Sequence, residues 1–153
     1  MPTTEVQQLI ESAADHVRKQ EFDQAADQAR HAIDQDPRSS DAYGILGIAM
    51  ARTGRIEEAT EAFQRAVQTA PYSARSYYNL AMHYYGMGNK ADAISMCQEA
   101  IRCDGKHRGA TELLKKLESE THVQIAPYQT SLGDARGTAY TYKKEEADEP
   151  PPF

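Results

Sequence analysis

The strongest constraint on this chain is a period of 34 residues. Residues 40–73, SDAYGILGIAMARTGRIEEATEAFQRAVQTAPYS, read as two short amphipathic helices joined by a tight turn. Tyr43, Leu46, Gly47, Met50 and Ala51 recur at the three- and four-residue steps of one helical face. Thr53-Gly54 breaks that run, because glycine enters the left-handed conformation that ends a helix without strain. Ile56, Ala59, Phe63, Ala66 and Val67 form a second periodic segment, which Pro71 closes. One such hairpin cannot bury both of its apolar faces. It needs neighbours.

The neighbours lie 34 residues away on either side, without a gap. Counting from the first residue of each unit, position 8 holds Ala13, Gly47 and Ala81. Position 20 holds Ala25, Ala59 and Ala93, and position 27 holds Ala32, Ala66 and Ala100. Position 24 reads Ala29, Phe63, Cys97, and position 32 reads Pro37, Pro71, Gly105. Small residues at 8 and 20 let the two helices of a hairpin approach closely. The alanine at 27 makes room for the next hairpin, and proline stops the second helix before the chain reverses.

A 34-residue helix-turn-helix with large and small columns at these offsets resembles the tetratricopeptide repeat (TPR) family, over residues 6–107. The first copy departs from the pattern. It carries Leu9 and Ser12 where large residues of positions 4 and 7 belong, Gln20 for the turn glycine, and Ala29 at the bulky position 24. The resemblance implies an all-α fold: a right-handed α-solenoid of three helix-turn-helix repeats, a C-terminal capping helix and an irregular tail. The expected organisation is a lead over 1–5, repeats over 6–39, 40–73 and 74–107, a capping helix over 108–120 and a flexible or docking tail over 121–153. Leu113, Leu114 and Leu117 give the capping helix one apolar face, and a repeat stack needs such a solubilising end. The tail has no helical period, but Tyr128, Tyr140, Tyr142 and Phe153 give it docking handles.

Charge and motifs narrow the function by exclusion. A net charge of −6 argues against a nucleic-acid partner, which needs a basic surface. The acid is uneven: repeat one has seven acidic and four basic residues, repeat two four and three, repeat three three and four. MPTTEVQQLIE has neither a basic region nor an apolar stretch of the signal-peptide kind, and no apolar run is long enough to span a membrane. A cytoplasmic protein is therefore expected. The chain has no glycine-rich phosphate loop, no GxSxG and no HExxH, so no enzyme and no catalytic residue is expected. Cys103 and His107 are four apart beside Asp104, but a metal site needs more ligands at matching spacing, so no metal or other cofactor is assigned. Cys97 occupies a core column, where a thiol behaves as a small hydrophobe. The remaining histidines, His83 among them, read as ordinary helix or tail residues.

The family resemblance also implies a ligand face. There the first helix of each hairpin lines a concave groove through positions 2, 5, 6, 9, 12 and 13. Carried onto this chain, the groove residues are Ile10, Ile45, Ile48, Arg52, Arg75, Tyr78, Asn79, Met82 and Tyr85. Core packing is served by positions 4, 7, 8 and 11, so Ile45, Ile48, Tyr78, Met82 and Tyr85 have no role inside a hairpin, and an unexplained apolar face marks an interaction site. Arg52 and Arg75 flank it. The competing reading is that the tail or the capping helix covers this face. The branch of the family that grips chaperone carboxylates wants five defined basic and amide residues. Ile10, Ala14, Ile45, Arg75 and Asn79 stand at those positions, and only Arg75 agrees in character. The expected function is a non-catalytic protein–protein interaction module that binds a peptide or partner helix. The alternative is a self-assembling homo-oligomer.

Overall fold

A computed structural model describes residues 3–121. The chain divides into two compact units, Met1–Leu114 and Lys115–Phe153. The first contains α1 (Thr4–Arg18), α2 (Phe22–Gln35), α3 (Ser40–Arg52), α4 (Ile56–Thr69), α5 (Ala74–Gly86) and α6 (Lys90–Cys103). It also holds the start of α7, residues 108–121. Among the described residues of the second unit, Leu117 is fully buried and its carbonyl accepts the Thr121 hydroxyl at 2.9 Å. The tail aromatics lie outside the described residues.

The helices start where the sequence can satisfy their free N–H groups. Thr3, Ser39 and Ser73 cap α1, α3 and α5, each side-chain oxygen accepting from the backbone three residues on at 3.2–3.3 Å. Asn89 does the same for α6, and His107 for α7, its Nδ1 accepting from the Ala110 N–H at 3.1 Å. The hairpin turns depend on one left-handed residue each. Gly54 and Gly88 both take φ 82°, and Gln20 takes φ 62° at the equivalent place in the first hairpin, where a side chain costs about 1–2 kcal/mol. The third turn is tighter than its two glycines imply, since Gly86 belongs to α5 and Gly88 alone makes the reversal.

Packing within the first unit rests on alanine. Ala25, Ala26, Ala49 and Ala59 are buried in one cluster with Met50, Phe63 and Leu80, and Val6, Ala32 and Ala42 form a second. The helices pair as α1 with α2, α3 with α4 and α5 with α6, and α2 packs on α3 as α4 does on α5. The second of these joints between hairpins is the sparser. The fit in the middle hairpin is close: a Cβ added to Gly47 would lie 2.7 Å from the Phe63 ring. The one large residue in column 24 therefore faces the one glycine in column 8.

Candidate peptide-binding face

The groove residues named from the sequence lie on α1, α3 and α5, but the structure commits several of them to other tasks. Ile10 is half-buried against the Val6, Ala32 and Ala42 cluster. Ile48 packs on the main core cluster, whose residues come from all three hairpins. Tyr78 also has a packing partner, outside its own hairpin. Its ring centroid lies 5.0 Å from that of His107, and a Cβ on Gly109 would stand 2.8 Å from it. Tyr78 is thus packed against the entry to α7.

The two arginines are engaged as well. Arg75 donates to Asp41 at 3.2 Å, linking α5 to α3 through exposed side chains. Arg52 lies 4.7 Å from the centroid of the Phe22 ring, a cation–π contact across neighbouring hairpins. Both flanking arginines thus already have partners within the chain.

What is left of the apolar face centres on α5. Met82 is 44% exposed, whereas Ile45 and Tyr85 are half-buried. Asn79, Met82 and Tyr85 follow at three-residue steps and share one side of the helix. Gly44, next to Ile45, has no side chain between its backbone and the Asn79 amide, which an added Cβ would meet at 3.4 Å. The face thus combines partly exposed apolar side chains with one amide that can both donate and accept. His107 lies in the turn after α6, with its Nδ1 committed to the Ala110 N–H, so it shares no helix face with Cys103. No group of three metal-ligating side chains occurs among the described residues, and none of their helices is long and apolar enough to cross a membrane.

Comparison with known proteins agrees with this architecture. Two family models, each described as tetratricopeptide repeat, match residues 11–74 and 54–117 and together cover residues 11–117, from within α1 to within α7. The chain belongs to the tetratricopeptide repeat family. The TPR domain of Sgt2 from Aspergillus fumigatus superposes with a TM-score of 0.74 at 16% identity, covering 96% of this chain and 93% of that one. The first TPR of Spaghetti (RPAP3), bound to the HSP90 peptide SRMEEVD, gives 0.69 at 16% identity, covering 76% of this chain and 93% of that one. The peroxisomal targeting signal receptor of Candida glabrata is 35% identical over 81 residues, 53% of this chain. That match is 14% of the receptor, and the chain spans no larger share of four further curated relatives. The fold is thus the all-α, right-handed TPR solenoid.

In this TPR stack the residue that sequence reasoning passed over is His83. It is 8% exposed, with Nε2 2.7 Å from the Thr60 hydroxyl and its ring 5.1 Å from that of Phe63. It ties α5 to α4 across the sparser joint. A signal existed, because position 10 of the preceding repeat is Ala49, which is fully buried. Burial holds the His83 pKa below 6.5. Its contribution to stability is therefore present above pH 6.5 and lost as the pH falls from there through the lowered value. The denaturation midpoint should drop on acidification from about pH 8 to about pH 5. His83→Gln, which keeps a neutral hydrogen-bonding group, should make that drop smaller. Parallel pH profiles for the two proteins would remove His83 as the cause.

Proposed function

We propose that this chain is a non-catalytic interaction module that holds a peptide or partner helix on the face formed by α1, α3 and α5. What supports the reading is that Met82 stands exposed on α5, that Ile45 and Tyr85 are only half-buried, and that the Asn79 amide approaches the glycine at position 44. A ligand for such a face brings two or three apolar side chains and offers its backbone to Asn79. Because Arg52 and Arg75 already have partners within the chain, a carboxylate is secondary to apolar contact. The peptide-bound TPR of RPAP3 and the peroxisomal receptor support binding as the general role, while four of the five carboxylate-gripping positions here carry other residues.

Ile45→Ala with Met82→Ala tests this. Tyr78 is left intact because its packing would confuse binding with stability. Burying each large side chain contributes about 1.5–3 kcal/mol, so partners captured by the intact chain should bind the double variant at least about ten-fold more weakly. The helical circular-dichroism signal should stay the same. Full retention of every captured partner would move the binding site elsewhere.

A further inference from the structure

A second concavity opens between α2 and α4, above α3, with a volume of about 370 Å³. That lies in the range of pockets that accept small ligands or side chains, roughly 300–1,000 Å³. None of its lining belongs to the residues assigned to the face described above. Its floor is apolar, formed by Tyr43, Leu46, Met50 and Ala62. Leu46 sits in a packing column yet is only half-buried, because the groove opens over it. Its walls are charged, and the charges are not equivalent. Arg30 donates to Met50 Sδ at 3.6 Å and lies 3.8 Å from Asp27, while Arg65 stands 5.8 Å from the Tyr43 ring centroid. Both cations are turned to groups within the chain. Asp34 on one wall and Glu58 and Glu61 on the other are exposed and have no hydrogen-bonding or ionic partner among the described residues. Repeats one and two also carry an acid excess of their own, eleven acidic against seven basic residues.

We infer that this outer groove is a second docking site, and that its occupant is a basic amphipathic segment of a partner protein. Aliphatic side chains of the segment enter over Leu46 and Met50, and lysine or arginine side chains on its flanks meet Asp34, Glu58 and Glu61. The complementarity is that of an apolar floor between unspent carboxylates, and the acidic field of the first two repeats steers such a partner toward it.

The methionine methyl groups of the full chain separate the two sites in one spectrum, since Met50 on α3 lines the outer groove and Met82 on α5 lies outside its lining. The probe is a short amidated peptide of leucine and lysine in helical spacing, with its leucine–glutamate counterpart as comparison. The lysine peptide should shift the Met50 methyl resonance saturably and leave Met82 in place. Glu58→Lys with Glu61→Lys should weaken that binding at least about ten-fold. Glu11→Lys with Glu57→Lys changes the net charge equally outside the groove lining and should weaken it far less. All four positions are exposed, so both variants should keep the parent circular-dichroism spectrum. The proposal falls if Met82 moves instead of Met50, if the two charge variants weaken binding equally, or if the glutamate peptide binds as well. It falls too if Met50 shifts with protein concentration alone while the sedimenting mass doubles, for the occupant is then a second copy of this chain.

Discussion

Phe63→Ala should lower the unfolding free energy by about 3–5 kcal/mol, the usual cost of removing a buried aromatic ring. Phe63 is 3% exposed and sits in the main core cluster with Met50, Ala59 and Leu80. Gly47→Ala should also destabilise, even though alanine gains about 1 kcal/mol over glycine inside a helix. Its Cβ would fall 2.7 Å from the Phe63 ring, and relieving that overlap costs about 1–3 kcal/mol. The two together should cost less than the sum of the separate losses, because the alanine Cβ then enters space the ring has left. The first repeat already uses that combination, Ala13 with Ala29, both fully buried. A double-mutant cycle in urea should return a coupling of at least about 1 kcal/mol, as expected for residues in direct contact. Simple additivity would mean that column 8 and column 24 do not regulate each other's size.

The period made the hairpins legible. Helix α4, Ile56–Thr69, lies between the Thr53-Gly54 break and Pro71, where turn residues and apolar spacing put it, because both signals are local. The departures of the first repeat also have physical answers: Gln20 takes the left-handed turn conformation, and Ala29 stands with an alanine rather than a glycine at position 8. Side-chain commitments were harder to see. Arg75 and Asp41 are both position 2 of consecutive repeats, so their pairing was readable once neighbouring columns were treated as adjacent in space. The contact of Tyr78 with His107 and Gly109 was not, because it depends on the course of the chain after the last repeat. The outer groove was hidden for another reason. Leu46 and Met50 occupy columns that read as filled, and only the spacing of α2 and α4 leaves a volume above them.

That reliance on spacing gives the small columns their weight. Ala59 is fully buried among Ala25, Ala26 and Phe63, at a position that is alanine in all three repeats. Ala59→Leu adds three carbons where α4 meets its neighbours, and a packed interior can take them in only by moving helices or forcing rotamers. The expected loss is about 1–3 kcal/mol or more. Gln68→Leu makes a comparable apolar addition on the exposed side of the same helix and should stay within about 0.5 kcal/mol. Gln68 serves as the control in preference to Gln64, whose amide donates to the Tyr84 hydroxyl at 3.2 Å. Thermal melts of the two variants make the comparison directly. A markedly lower melting temperature for Ala59→Leu alone places the close approach of helices at column 20, whereas equal losses would mean that backbone spacing is set elsewhere and that the alanines merely tolerate it.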